Sequence, residues 1–549
     1  MVKYIFITGG VLSSVGKGVL TASIGKMLQA RGLKATAIKI DPYVNVDAGT
    51  MNPYIHGEVY VTDDGGETDL DLGTYERFLN VDLCKHNNIT TGQVYQTVIE
   101  KERKGDFLGK CVQIIPHVTN EIKRRIRFVA KESSWDVVLA ECGGTVGDIE
   151  GQPFLEAIRQ MRLEEGYENT LYVHVALVPI LGVTGEMKTK PLQHSVNELR
   201  RIGIQPDTIV ARCEKMIDKE SAAKIALFGT IPENAVFCSH NAPSIYQVPT
   251  ILDRQGMGVF ICKRLQLEER KPDWSSWAQF VDSVLNPKSE VRIALIGKYV
   301  GLVDSYVSMN EALGHAGAAC QTKVSIDYIQ AETLERDVNV VKRLKNYDGI
   351  FIPYGFGPRG TEGKISAVRF ARENNVPFLG VCLGFQLAVV EFARNVCGLE
   401  GATSTELDPE TPHPVIDLMP EQINVENKGA TMRLGVHKIV ITENTLAHQL
   451  YGVGSIFERH RHRWEVNPEY WDTLNKNGMV FSAKSEDLRR MEILELPDRF
   501  FFLASQFHGE FKSRPGRPDG EYYGFIKACL DRKLGKTKPL LEPKAEVAR

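Results

Sequence analysis

Gly10, Gly16, Lys17 and Gly18 lie in "GVLSSVGKGV", between the apolar run of residues 4–7 and a helical run, "GVLTASIGKMLQARG". Backbone N–H groups of such a turn, with the helix N-terminus, present a positive concavity to phosphate, and Lys17 adds a full charge. The usual phosphate loop is G-x-x-x-x-G-K-[ST], in which the hydroxyl after the lysine holds Mg²⁺. Here the spacing from Gly10 to Gly16 is one residue longer and Gly18 follows the lysine, so other oxygens must hold the metal. Asp71, in "DLDLG", and Glu141, which ends "VVLAE" before two glycines, can supply them. A carboxylate at the carboxyl end of a parallel strand faces the ligand crevice, and Mg²⁺ commonly takes one or two carboxylates plus substrate phosphates. Asp63, Asp64 and Asp69, in the same acidic stretch, read as solvated loop residues. Lys39 in "IKIDPY", Lys188 and Lys190 in "GEMKTKPLQHSV", and Lys224 in "AAKIALF" provide cations for a second polyphosphate beside the first.

A different chemistry is written in "FLGVCLGFQLAVVEF", which places Cys382 inside G-x-C-x-G between an apolar strand and an amphipathic helix. A sharp strand-to-helix turn exposes a nucleophile and aims the next backbone N–H at a developing oxyanion. A helix N-terminus also favours the thiolate. The base and its orienting group are supplied by "ASQFHGEF", where His508 and Glu510, two apart at a strand end, should project from one face. Together these residues indicate a Cys-His-Glu triad.

Both sets need α/β scaffolds. Up to residue 266, "YIFIT", "KATAIKI", "WDVVLAECGG", "TLYVHVALV" and "DTIVAR" alternate with helical stretches, the pattern of a parallel sheet covered on both faces. Residues 267–290 are polar, carry Pro272 and Pro287, and read as a linker with one helix. A second α/β cycle runs over 291–535 through "VRIALIG", "YDGIFIP", "VPFLGVC" and "FFFLASQFH", and 536–549 read as a frayed, disordered tail. The 549 residues are 43% apolar with a net charge of −3, which argues against general binding of nucleic acid or membrane surfaces. No run is long enough to cross a bilayer, no signal-peptide layout is present, and ten scattered cysteines form no C-x-x-C pair, so a cytoplasmic protein without a disulfide framework is expected.

The chain closely resembles the CTP synthase family over nearly its full length. The motifs "ITGGVLSSVGKG", "KIDPYVNVDAGTMNPYIHGEV", "DLDLGTYERF", "GGTVGDIE", "KTKPLQHSV", "KIALF", "GVCLGFQ" and "ERHRHRWEVN" occur in the family's order. The resemblance implies a P-loop-like synthetase domain followed by a class I glutamine amidotransferase domain. It also implies the reaction: ATP phosphorylates O4 of UTP, glutamine hydrolysis supplies ammonia through an internal channel, and ammonia displaces the phosphate to give CTP. Matched by position, Ser14, Val15, Gly16, Lys17, Gly18, Val19 and Asp71 would bind ATP, with Lys17 and Lys39 stabilising the transferred phosphoryl group and Asp71 and Glu141 holding Mg²⁺. Ser13, Asp148, Ile149, Glu150, Lys188, Thr189, Lys190, Pro191, Leu192, Gln193 and Lys224 would bind UTP, or CTP as feedback inhibitor. Gly355, Leu383, Gly384, Phe385, Gln386, Glu406 and Arg463 would bind glutamine, and the loop around Arg359 resembles the lid associated with activation by GTP. A homotetramer is implied, with the UTP site at subunit contacts.

Two positions depart from the family pattern. Tyr354 stands where "PGGFG" has its second glycine, beside the expected oxyanion hole, and tyrosine resists the positive φ that glycine allows. Gly509 replaces the proline of "QFHPEF", which should loosen the strand end carrying His508 and Glu510. The rival readings are a synthetase that runs only on free ammonia or serves as a nucleotide-binding scaffold, a cobyrinic acid amide synthase, and a partitioning-type ATPase. The complete triad speaks against the first, the pyrimidine-site segments against the second, and the absence of an early lysine in "LSSVG" against the third.

Overall fold

The computed structural model describes residues 2–182, 185–422, 429–539 and 541. The chain forms two compact units, one of Met1–Ala48 with Asp71–Val281 and the other of Gly49–Leu70 with Asp282–Arg549. The segment Gly49–Leu70 therefore belongs with the second unit, although in sequence it lies inside the first α/β cycle.

The first unit is built on a seven-stranded sheet in the order Asn88–Thr90, Ala35–Asp41, Val137–Cys142, Lys3–Gly10, Thr170–Leu177, Thr208–Cys213, Val236–His240. All of its pairings are parallel. Strands such as Ala35–Asp41 and Val137–Cys142 are buried along their whole length, as continuous apolar runs covered on both faces must be. Phe6, Ile38, Ile40, Val138, Phe154 and Ile158 form much of the core on one face. The first strand is central, and the chain leaves it to one side before crossing to the other, which creates a switch point at its carboxyl end.

The second unit carries a nine-stranded mixed sheet. Thr322–Gln330, Ser289–Gly297, Gly349–Ile352, Phe378–Val381 and Phe502–Ser505 are parallel. Met491–Glu495, Val480–Ser485, Arg433–Ile441 and Ser455–His462 extend the sheet antiparallel. The pleat sends Ile350, Ile352 and Phe378 into one core and Phe351, Leu379 and Val381 into the other. Most of the expected tail, residues 540 and 542–549, lies outside the described residues, but Leu541 is buried in the second of these cores.

Charge pairing explains the grouping of Gly49–Leu70. Arg459 ion-pairs with Asp63 at 2.5 Å and donates to Tyr60 Oη and the Val61 carbonyl. Arg461 ion-pairs with Glu67 at 2.8 Å and donates to the Gly49 carbonyl at 3.0 Å. Lys512 reaches Asp63 at 2.8 Å, and Asp69 is buried beside His56. The reading of Asp63 and Asp69 as solvated loop residues is thus corrected, because Asp63 meets Arg459 and Lys512 and Asp69 is buried against the His56 ring. Asp64 is exposed, as expected.

Candidate active sites

In the first unit, the helix Lys17–Gln29 starts from Gly16 at φ 93°, and Val11 and Ser14 also take positive φ as the loop turns. Lys17 Nζ donates to the Gly144 carbonyl at 2.6 Å. Lys39 Nζ bridges the two expected metal ligands, pairing with Asp71 and with Glu141 Oε1 at 3.2 Å. The other Glu141 oxygen accepts from Thr21 Oγ1 at 3.2 Å and from Tyr75 Oη. Burial, with the Glu141 charge close by, pushes the Tyr75 phenol well above its usual pKa. Sequence reasoning missed Tyr75 and Thr21, since each is signalled only by its carboxylate partner.

Gly18 is explained by this geometry. A Cβ on Gly18 would lie 2.2 Å from Asp71 Oδ1, so the carboxylate fills the space that a side chain after the lysine would need. The donor set suits Mg²⁺, because two carboxylates already converge on one cation, the Lys39 ammonium. Among the described residues no group of three His, Cys, Asp or Glu could hold a metal.

Of the positions expected to bind UTP, Thr189 precedes the helix Lys190–Arg201 without a side-chain cap bond, and Gln193 Nε2 donates to its hydroxyl at 2.9 Å. Pro191 opens that helix and Leu192 is buried beneath it. Lys190 stands over the ring of Phe228, on the helix Lys219–Gly229 that also carries exposed Lys224. Lys188 pairs with Glu186 at 2.6 Å. Asp148 accepts from the Thr145 N–H and hydroxyl at 2.7 and 2.8 Å, while Ser13, Ile149 and Glu150 are exposed. Among the described residues no hydrogen bond joins residues 148–150 to residues 188–193 or to Lys224. A buried relay beside them was not foreseen: His174 bonds Thr8 Oγ1 at 2.9 Å through Nδ1 and Ser195 Oγ at 2.8 Å through Nε2. Burial first, then the Lys17 charge, pulls the His174 pKa down to about 3, so the ring is neutral.

In the second unit, Cys382 has φ 55° and ψ −102° immediately before the helix Leu383–Asn395, the strained strand-to-helix elbow geometry in which a nucleophile can be presented. Its N–H donates to the Ser505 carbonyl at 2.8 Å, which fixes the elbow to the neighbouring strand. His508 and Glu510 lie beyond the strand Phe502–Ser505, where Gly509–Phe511 forms a 3₁₀ turn. Their closeness therefore comes from that turn and not from strand alternation. His508 Nδ1 meets Glu510 Oε1 at 2.7 Å, and Glu510 Oε2 accepts from Tyr522 Oη at 3.0 Å. Burial alone would lower the His508 pKa, but the Glu510 charge and hydrogen bond, with Cys382 close by, outweigh it and push it up to about 10. Cys382 Sγ itself reaches the Arg461 carbonyl at 3.8 Å, and the buried His508 Nε2 makes no hydrogen bond among the described residues, so the ring can hold a proton on a nitrogen that faces the cavity it shares with Cys382.

Cys382 and His508 line a cavity with Pro53, Val59, Tyr354, Phe356, Arg461 and Phe511. Tyr354 does not take the positive φ that glycine would allow. Its hydroxyl donates to the Ser305 carbonyl and its ring lies 5.5 Å from Tyr306 and 5.7 Å from His508, so it is a wall of the site. Gly509 is buried and takes no positive φ. A Cβ on Gly355 would lie 3.4 Å from Leu383 Cδ2, which places that glycine beside the elbow. Gly384 and Phe385 are buried in the helix after Cys382, and Gln386 donates to the Trp464 carbonyl at 2.9 Å. Glu406 accepts from the Gly357 N–H at 2.8 Å, and Arg463 holds Gln422 and Thr431 Oγ1. Buried Lys298 donates to the Phe356 and Gly357 carbonyls and buried Lys364 to that of Pro353, and both pKa values are lowered by burial. Lys298 was legible in principle, because it directly follows the apolar strand "VRIALIG".

Comparison with known proteins places both sites in one context. A family model for the CTP synthase N-terminus matches residues 3–267, and one for class I glutamine amidotransferase matches residues 301–528. A CTP synthase of Pyrococcus furiosus is 58% identical over 98% of this chain and 99% of its own length. The chain belongs to the CTP synthase family. Another member, from Methanocaldococcus jannaschii, is 53% identical over 97% of this chain and 99% of its own length. The solved glutaminase domain of Trypanosoma brucei CTPS with bound acivicin is 39% identical over 46% of this chain and 97% of that one, with a TM-score of 0.43. As a CTP synthase the protein is a ligase of pyrimidine nucleotide biosynthesis, acting on UTP, ATP and glutamine.

Proposed function

We propose that the first unit phosphorylates UTP and aminates it, and that the second hydrolyses glutamine to supply the ammonia. The observation that carries this reading is that one chain holds both the Lys39–Asp71–Glu141 cluster beside a phosphate loop and, in one cavity, Cys382 with the His508–Glu510 pair. In the first unit, Ser14, Val15, Gly16, Lys17, Gly18 and Val19 cradle the ATP phosphates, and Lys17 and Lys39 take up charge on the γ-phosphoryl group as it moves to O4 of UTP and ADP departs. Asp71 and Glu141 would hold Mg²⁺, which supplies charge neutralisation on the phosphate oxygens. Ammonia then attacks C4, inorganic phosphate leaves, and CTP is formed. Ser13, Asp148–Glu150, Lys188–Gln193 and Lys224 bind UTP, and CTP as feedback inhibitor.

In the second unit, the Cys382 thiolate attacks the carboxamide carbon of glutamine, held by Gly355, Leu383, Gly384, Phe385, Gln386, Glu406 and Arg463. His508 passes its proton to the departing ammonia, and water then releases glutamate from the thioester. Arg359, which pairs with Glu332 at 2.5 Å and donates to the Lys298 carbonyl at 2.8 Å, would respond to GTP as activator. A homotetramer is the assembly that the family resemblance implies. No helix among the described residues is long and apolar enough to cross a membrane, and we place the enzyme in the cytoplasm.

The test is CTP formation from UTP, ATP and Mg²⁺ with glutamine plus GTP, in parallel with ammonium chloride. Both supplies should give CTP, and Cys382→Ala should abolish only the glutamine-driven reaction. CTP from neither supply would overturn the reading, and CTP from ammonia alone would overturn its glutaminase half.

A further inference from the structure

Glu510 orients His508 through one oxygen, and its other oxygen is held by Tyr522, a fully buried tyrosine on the helix Gly520–Lys533. That helix start is placed by two side chains. Asp519 caps it, with Oδ1 accepting from the Glu521 N–H at 3.0 Å and the Tyr522 N–H at 3.5 Å. Glu521 Oε1 accepts from Ser505 Oγ at 3.0 Å, tying the same turn to the strand that receives the Cys382 N–H. The Asp519 carboxylate has a third bond, from Tyr451 Oη at 3.2 Å.

Gly509, between His508 and Glu510, lies directly against this cap. A Cβ there would stand 2.8 Å from both Cγ and Oδ1 of Asp519 and 3.0 Å from Oδ2. Real Cβ atoms essentially never approach a neighbour that closely, and a carboxylate held by three hydrogen bonds cannot yield without releasing the helix start. Any side chain at 509, proline included, would therefore displace either the turn carrying the triad or the turn carrying Tyr522.

Resting on the glutaminase reading above, we infer that Tyr522 is a positioning residue for Glu510, and that Gly509 provides the space in which the Asp519 cap can set it there. The sequence expectation that Gly509 loosens the triad is replaced by the opposite: the glycine admits a brace. Tyr522 touches neither glutamine nor the nucleophile. It acts by fixing the rotamer of a carboxylate whose other oxygen orients the base, and loss of such orientation lowers turnover more than binding.

The experiment is performed on the full-length enzyme with Tyr522→Phe and Gly509→Ala, measuring glutamate release against glutamine concentration and ammonia-driven CTP formation. Tyr522→Phe removes one oxygen and keeps the ring. It should lower the glutaminase kcat at least fivefold with KM for glutamine within twofold, and leave the ammonia-driven rate unchanged. Gly509→Ala should show the same split with a larger loss. The inference is overturned if Tyr522→Phe keeps its kcat within twofold, or if KM rises while kcat holds. Cys382→Ala in the same series separates the two levels: glutamate release that survives it would refute the triad itself, whereas release lost there and intact in Tyr522→Phe would refute only the brace.

Discussion

Replacing Gly18 by alanine adds a single carbon to the first turn of the helix Lys17–Gln29, at a point where that carbon would sit 2.2 Å from Asp71 Oδ1. To restore even 3.0 Å, the carboxylate must retreat by about 0.8 Å, which removes it from its pairing with Lys39. Misplacement of a reacting group by about 1 Å commonly costs on the order of 10²-fold in rate. Gly18→Ala should therefore lower kcat for ammonia-driven CTP formation by roughly 10²-fold, equivalent to about 2.7 kcal/mol of transition-state stabilisation. Asp71 is partly exposed, so its side chain can rotate away without disturbing the core, and Tm should change little. Glutamine hydrolysis measured without nucleotides should be retained, because the Cys382 site belongs to the other unit. Gly18→Ser separates two explanations, since it also restores the hydroxyl of the usual phosphate loop. If that hydroxyl could serve as the metal ligand, the serine variant would be far more active than the alanine variant. The geometry requires both to be equally impaired, and either variant within threefold of wild type, with an unchanged Mg²⁺ requirement, would refute the account of why Gly18 is there.

His174 is neutral in the fold with its pKa near 3, whereas the unfolded value is near 6.5, so between those pH values the unfolded chain binds the extra proton and stability drops as the pH is lowered. The group should contribute a slope of about 1.4 kcal/mol per pH unit below 6.5, seen as a shallower loss of stability on acidification in His174→Gln than in wild type by denaturant titration; equal slopes would show that the ring is protonated in the fold. The same variant should raise KM for UTP, since the relay from Thr8 to Ser195 steadies the helix that carries Gln193. Tyr354→Gly, which restores the family's glycine, should lower stability by about 3–5 kcal/mol through the cavity it leaves and should not raise the glutaminase rate. A faster, equally stable Tyr354→Gly enzyme would mean that the tyrosine obstructs the site.

Much of the site could be read locally. The phosphate loop, Cys382 in its elbow and the H-x-E pair are each contained in a few consecutive residues, and the alternation of apolar strands with helical stretches specifies the α/β class. What could not be read was carried by partners distant along the chain. The segment Gly49–Leu70 interrupts the first α/β cycle without changing its composition, and its place in the second unit depends on Arg459 and Arg461 reaching Asp63 and Glu67. The arginines stand in "ERHRHRWEVN", a motif whose alternation, with His460 turned to Glu492 instead, becomes meaningful only once the strand Ser455–His462 has a sheet on which to sit.

The positions that depart from a motif share this logic. Gly18 departs from the usual phosphate loop, and Tyr354 and Gly509 from the family pattern, so that by motif alone they suggest a lost ligand, an obstructed oxyanion hole and a loosened turn. In each case a second residue supplies the reason for the first: Asp71 fills the space over Gly18, the Ser305 carbonyl takes the Tyr354 hydroxyl, and the Asp519 cap occupies the volume that Gly509 leaves. A motif records which residues are present, but function at these positions depends on which atoms occupy a few cubic ångströms beside them. It follows that reverting any one of the three to the usual residue should impair the enzyme. At Gly509 the clash is with Asp519, so in a double-mutant cycle Gly509→Ala should cost less in an Asp519→Gly background, which has already lost the helix cap, than in wild type: independent, additive losses there would mean that the two positions do not share the space the structure assigns to them.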